Sequence, residues 1–188
     1  MNWNQYLELS EKTLSTQFHC EEKEQLLLHA VIGVLTEVEE ILDNYISPEK
    51  RNVTLDPVNI LEEVGDVTWY LAIIGRMYNI EMPAHVPGQQ KSEPLGLIIT
   101  ITKNTLKLLD VLKKKMYYNK PIDDESFAQN ARIIMVLIME YMSCYNIDIE
   151  GSFDINISKL KARYGDKFSS ERAINRDLET ERNILEGN

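Results

Sequence analysis

Apolar residues recur at intervals of three and four along most of the chain, rather than at intervals of two. This spacing gathers them on one face of an α-helix, whereas strict alternation would indicate strands. Eight glycines and six prolines in 188 residues leave few positions where a helix must stop. The pattern therefore predicts an all-α helical bundle. The predicted helices cover about 3–14, 21–45, 56–78, 92–116 and 124–145, with a last helix from about 169.

Proline positions and composition indicate where helices begin, where the internal linker lies and where the tail starts. Asp56-Pro57 has the order of an N-cap followed by proline at the first helical position. The stretch "IEMPAHVPGQQKSEP" contains three of the six prolines and is the clear internal linker. Beyond Gly151 the chain is rich in charge and poor in core residues, with a turn at 164–166. We expect one all-α domain over 1–150 and a basic, helical segment over 151–188 that packs on this domain or on a partner subunit.

A short internal sequence similarity relates the two halves of the predicted domain. "RMYNIEM" contains Tyr78 and "SCYNIDI" contains Tyr145, 67 residues later. A duplicated helix pair and a chance match both explain this similarity. If the helix pair is duplicated, the acids of the first half align with residues of the second half that carry no carboxylate. The four positions Glu37, Glu40, Glu63 and Asp66 align with Asn104, Lys107, Asn130 and Ile133.

Two pairs of acids stand out: Glu37 with Glu40, and Glu63 with Asp66. Residues three apart lie on one helical face, so each pair can direct both carboxylates to one point. Two such helices packed antiparallel would bring four carboxylates together. Hard divalent cations prefer oxygen ligands of this kind, so the pattern favours Mg²⁺, with Mn²⁺ as a substitute.

The alternative is that these acids lie on solvated helix faces. Thirty acids in 188 positions give roughly five such pairs by chance. However, the pairs lie beside strongly apolar stretches, and no lysine follows any of the four acids at the fourth position. Zinc and di-iron sites need cysteine or histidine ligands, and His19, His29 and His85 do not fit those spacings.

Net charge limits the classes of partner. Thirty acidic against twenty basic residues give a formal charge of −10, which disfavours nonspecific binding to nucleic acid or to an anionic membrane. Two cysteines provide no disulfide framework, and the first residues have neither a basic start nor an apolar stretch. We therefore expect a cytoplasmic protein that binds neither nucleic acid nor membrane.

The acid pairs also carry a family resemblance. Glu37-x-x-Glu40 is followed after 22 residues by Glu63-x-x-Asp66, within "EEVGDVTWYL". This arrangement resembles the MazG-like all-α nucleoside triphosphate pyrophosphohydrolase superfamily, whose relatives include the dimeric dUTPases. The family pattern is ExxE, a spacer of about 12 to 28 residues, and ExxD. The resemblance covers roughly residues 25–80.

The resemblance implies an activity: Mg²⁺-dependent hydrolysis of an NTP or dNTP to the monophosphate and pyrophosphate. It assigns Glu37, Glu40, Glu63 and Asp66 as catalytic metal ligands, with either Glu37 or Glu40 acting instead as general base. It also implies a homo-oligomer, either a dimer or a tetramer. Two alternatives remain: a noncatalytic helical metal-binding or regulatory protein, and an enzyme of the same fold that acts on a guanosine alarmone.

The tail "KLKARYGDKFSSERAINRD" is similar to the C-terminal segment of phage and bacterial MazG-like proteins. That similarity implies a basic segment that folds over the phosphates of the substrate. The alternative is a solvated tail helix whose Arg176 pairs with local acids. For Tyr164 and Phe168, we favour core packing over stacking on a base. The substrate-binding residues implied by the tail are Lys159, Arg163, Lys167 and Arg176.

Overall fold

Helices make up almost all of the part of the chain that the computed structural model describes, which is residues 17–46, 56–83, 93–165 and 167–187. No strand occurs within those ranges, and the predicted all-α class is confirmed. None of the described helices is both long enough and apolar enough to cross a membrane. The helices are α1 (Glu22–Ile46), α2 (Pro57–Tyr78), α3 (Pro94–Tyr118), α4 (Asp124–Cys144), α5 (Ile149–Tyr164), α6 (Ser170–Ile174) and α7 (Leu178–Glu186).

Local signals in the sequence explain where these helices begin and end. Asp56 accepts a hydrogen bond from the backbone N–H of Val58, and Pro57 is the first residue of α2, as predicted. Asp123 and Asp148 cap α4 and α5 in the same way. Such caps satisfy backbone N–H groups that have no partner within the helix.

The four long helices pack in pairs around one core. α1 packs against α2 and α3 against α4, and further contacts join α1 to α3 and α2 to α4. The core consists of aliphatic side chains from all four helices together with Phe127 and Tyr141. The two pairs fit a duplication but equally fit an unrelated four-helix arrangement, so the duplication stays a hypothesis.

The tail differs from its prediction. α5 begins at Ile149, and the expected boundary at 151 falls inside it. The sequence prediction missed α5, although Ile149, Phe153, Ile157 and Leu160 recur at helical spacing. The residues that α5 buries are polar: Ser152, Asn156 and Lys159. The single helix predicted from about 169 is wrong, since residues 175–177 separate α6 from α7 and Asp177 caps α7.

The last helix closes the bundle on one side. α5 lies on α2, and α7 contacts both of them. Arg182 of α7 donates to Asp56 at the start of α2, with Nη1 2.7 Å from Oδ2. The predicted helix over 3–14 and most of the proline-rich linker lie outside the described residues.

Candidate functional site

A cavity of about 780 Å³ lies where α1, α2 and α5 meet the segment that follows α5. The faces of α1 and α2 that carry the two acid pairs both border this cavity, as expected for two amphipathic helices packed against each other. The cavity wall includes all four acids of the two sequence pairs. They are Glu37, Glu40, Glu63 and Asp66.

Three of these four acids converge. Carboxylate oxygens of Glu37, Glu63 and Asp66 all lie within 4.8 Å of one another. Glu63 is 4% exposed, although its carboxylate faces the cavity. Glu40 lines the same cavity but is exposed and stands outside this triad. The triad is therefore the compact part of the site, and Glu40 is its neighbour.

Burial and mutual repulsion perturb two members of the triad. Burial, followed by repulsion from Glu40 and Glu37, raises the pKa of Glu63 to about 9. Burial, followed by repulsion from Asp66 and Glu40, raises the pKa of Glu37 to about 6. At neutral pH the Glu63 carboxyl thus holds a proton. A cation that binds the triad would have to displace it.

Asp66 is held by two residues of α5. The Lys159 ammonium lies 2.6 Å from Asp66 Oδ2 and 3.2 Å from Glu62 Oε1, and the Asn156 amide donates to Asp66 Oδ1 at 2.7 Å. Lys159 is wholly buried and does not line the cavity. Its ammonium is therefore an internal counter-ion for α2, and a direct contact with substrate stays a prediction.

Gly65 explains how α5 comes so close to α2. A Cβ atom at this position would lie 3.0 Å from Asn156 Nδ2, so a larger residue would push the amide away. The glycine lets Asn156 lie across the helix surface, and this brings its amide within reach of Asp66.

The other basic residues expected to bind substrate lie along the cavity wall. Arg163 and Arg176 both bond to Glu181, and Arg176 also reaches Glu62 with Nη2 3.2 Å from Oε1. Arg176 therefore pairs with local acids, as the alternative interpretation of the tail supposed, while it also lines the cavity. Lys167 lines the cavity and is exposed.

Aromatic side chains form two further parts of the wall. The Trp69 and Tyr70 rings lie edge to face with centroids 4.9 Å apart, and His29 lies against Tyr70 at 5.4 Å. Tyr164 and Phe168 form a second pair at 5.1 Å. Phe168 is 71% exposed, so its predicted core packing is wrong. The cavity therefore offers flat apolar surfaces beside its charged groups.

The position of the Tyr70 ring requires a glycine at position 33 of α1. A Cβ atom at position 33 would lie 2.2 Å from Tyr70 Cε1, which is well inside van der Waals contact. The close contact between these two residues follows only from the packing of α1 on α2.

The sequence did not reveal Asn156 and Glu181. Asn156 reaches a partner 90 residues away, and Glu181 is one acid among many in a charged tail. Their burial, 5% and 3% exposed, is the signal that distinguishes them, and it exists only in the folded chain.

Comparisons with known proteins give no relative for this chain. No protein-family model, curated protein or solved structure matched it.

Proposed function

We propose that this protein is a Mg²⁺-dependent nucleoside triphosphate pyrophosphohydrolase of the MazG-like kind, which converts an NTP or dNTP to the monophosphate and pyrophosphate. The observation that carries the proposal is the convergence of Glu37, Glu63 and Asp66 within 4.8 Å on the wall of a large cavity. Sites for small molecules occupy about 300 to 1,000 Å³, and this cavity lies in that range.

The donor set fits a hard divalent cation. The triad offers carboxylate oxygens, which suit Mg²⁺ and Mn²⁺ better than the softer metals. Burial, followed by repulsion from neighbouring acids, raises the pKa of Glu63, and a cation would relieve the repulsion. When bound, Mg²⁺ would offset the charge of the triphosphate, orient it and make water a better nucleophile.

The residues around the triad have separate tasks in this proposal. Glu37, Glu63 and Asp66 hold the cation, and Lys159 keeps Asp66 in place. Glu40 lines the cavity outside the triad, so it is the carboxylate placed to accept the proton of the attacking water. The water oxygen forms a bond to phosphorus, and the anhydride bond between the α and β phosphates breaks.

The rest of the wall suits the remainder of a nucleotide. Arg163, Arg176 and Lys167 offer cationic groups to the phosphate chain. Trp69 and Phe168, which are 38% and 71% exposed, offer aromatic faces on which a base can stack.

Assembly and location are part of the same proposal. We propose a homo-oligomer, either a dimer or a tetramer, that works in the cytoplasm. Exposed aliphatic side chains on α3 and α4 support a contact between subunits, because water-facing apolar residues favour burial. They are Ile99, Leu106, Ile133 and Val136.

The decisive experiment is a turnover panel. NTPs, dNTPs and a guanosine alarmone are each incubated with the protein and Mg²⁺ or Mn²⁺, and the products are separated into monophosphate, pyrophosphate and phosphate. The proposal expects pyrophosphate together with a nucleoside monophosphate, and no release without a divalent cation. Turnover of the alarmone alone would move the substrate to that class.

A noncatalytic protein is the second candidate, and the Lys159 contact favours it. An internal ammonium already offsets part of the negative charge at Asp66, so the acids could serve stability alone. Melting temperatures that rise with Mg²⁺, without turnover of any compound in the panel, would support this candidate.

A further inference from the structure

Glu181, in the first turn of α7, is a buried carboxylate shared by two arginines. Its Oε1 accepts from Arg163 Nε at 2.8 Å, and its Oε2 accepts from Arg163 Nη2 at 2.6 Å. The same Oε2 accepts from Arg176 Nη2 at 2.6 Å and from Arg176 Nε at 3.1 Å. Glu181 is 3% exposed, so these bonds are shielded from water.

The two guanidinium groups would separate without Glu181. Both donate to the same oxygen at 2.6 Å, so those nitrogens lie no farther apart than twice that distance. Like charges at such a separation repel, more strongly where water is excluded. A carboxylate between them removes this cost. It holds Arg163 by a directional bidentate pair through both of its oxygens, and it holds Arg176 through two nitrogens that share Oε2.

The two guanidinium groups held by Glu181 form part of the cavity wall. Arg163 and Arg176 both line the cavity, on the wall that also includes Glu62 and Lys167. A guanidinium has five N–H donors, and Glu181 engages the edge formed by Nε and Nη2 on each. Among the described residues, no contact engages Nη1 of Arg176, so that side can meet another acceptor, whereas Arg163 also has a side-chain hydrogen bond with Tyr164.

The second contact of Arg176 is the weaker one. Its bond to Glu62 is 3.2 Å long, against 2.6 Å to Glu181. Short charge-assisted bonds are the stronger ones. Arg176 can therefore exchange Glu62 for an incoming anion and still be held by Glu181.

We propose that Glu181 is a positioning residue that fixes Arg163 and Arg176 where they meet the phosphate chain of the nucleotide. The inference rests on the proposed function for the identity of the ligand, and it assigns no chemical step to Glu181. Since the arginines would contact the substrate before and during reaction alike, Glu181 governs substrate affinity more than turnover.

The test compares Glu181→Gln with Glu179→Gln. Glu179 is an exposed acid in the same turn of α7, so its variant removes the same charge from the helix start but leaves the arginine pair intact. We expect Glu181→Gln to raise KM about tenfold or more with kcat changed less than about threefold, and Glu179→Gln to change neither. A KM within twofold of the wild type in a folded Glu181→Gln protein would overturn the inference, and so would a loss confined to kcat.

Arg176→Lys covers the case in which Glu181→Gln does not fold. This variant keeps the charge and leaves the Arg163–Glu181 pair intact. A lysine ammonium, however, lacks the planar pair of N–H donors with which Arg176 binds Glu181. A raised KM supports the inference, and an unchanged KM overturns it.

A binding measurement separates this inference from the proposed function. Inorganic triphosphate with Mg²⁺ is titrated into wild type and Glu181→Gln by calorimetry, which needs no turnover. Weaker binding by the variant supports the inference even if the wild type hydrolyses nothing. Equal binding, or no binding by the wild type, overturns it even if nucleotides are turned over.

Discussion

The Lys159 ammonium and the Asp66 carboxylate form a buried ion pair, 2.6 Å long, that joins α5 to the acidic face of α2. The lysine is fully buried and the aspartate side chain is 20% exposed. Lys159 and Asp66 are 93 residues apart in the chain. The pair thus anchors the tail helix to the candidate site.

Lys159→Met should destabilise the protein by about 3 kcal/mol, because it leaves Asp66 and Glu62 without their ammonium partner in a largely enclosed place. Urea unfolding measures the loss. Lys161→Met is the matched control, since Lys161 is exposed on the same helix, and it should change stability by less than about 0.5 kcal/mol. Similar losses in the two variants would contradict the assigned role of the pair.

Glu63→Gln should keep the fold and reduce pyrophosphate release at least about 100-fold, because the amide is nearly isosteric but lacks the charge that holds a cation. Without a cation the variant should be at least as stable as the wild type, since Glu63 already holds a proton at neutral pH. Glu39→Gln is the control: Glu39 is exposed and adjacent to Glu40 but does not line the cavity. Wild-type turnover in Glu63→Gln would remove this residue from the site.

The cation-free protein should lose stability as pH rises from about 5 towards 9. The pKa of Glu63 is about 9 in the folded chain, against 4.5 ordinarily. Between those values the folded chain holds a proton that the unfolded chain has released, so the free energy of unfolding falls with pH. Urea unfolding in EDTA across this range measures the slope.

Glu63→Gln supplies the comparison for this pH dependence. Its stability should fall less steeply with pH, because the amide does not titrate in this range. Saturating Mg²⁺ should oppose the fall in the wild type, since cation binding displaces the proton and becomes tighter as pH rises. Identical slopes in the wild type and the variant would show that another group causes the dependence.

Gly33→Ala should destabilise the protein by about 1 to 3 kcal/mol, because its Cβ atom would overlap the Tyr70 ring and force it to move. Gly96→Ala is the matched control in α3, where a Cβ atom meets only Glu93 Oε2 at 3.7 Å. There the gain in helix propensity should stabilise the protein by up to about 1 kcal/mol. The two melting temperatures should therefore shift in opposite directions, and shifts of the same sign would refute the argument.

Local patterns were sufficient for the four long helices. Their apolar residues repeat at the helical period, and Asp56-Pro57 and the residues around Tyr78 and Asp124 set the ends within one or two positions. Spacing on two neighbouring helices predicted that four carboxylates would converge, and three of them do, Glu37, Glu63 and Asp66, whereas Glu40 lies outside the triad. The helices and the shared face within each acid pair depend on residues close together in sequence, where the geometry of one helix decides the outcome.

The tail could not be predicted in this way. The residues that α5 buries are polar and lie beside its apolar residues Ile149, Phe153, Ile157 and Leu160, and its partners on α2 lie 90 or more residues earlier. Lys159 therefore resembled an exposed cation in the sequence and proved to be a buried counter-ion. The 3% exposure of Glu181 likewise depends on how α7 packs against α5.

The dependence of the cavity on α7 has a consequence for proteolysis. The hydrophobic core ends with Met142, whereas α7 joins the bundle partly through ion pairs of Glu181 with Arg163 and Arg176 and of Arg182 with Asp56. A carboxypeptidase that trims the chain past Glu181 would therefore remove the acid that Arg163 and Arg176 share at the cavity wall, and it would leave every residue of the four-helix core in place.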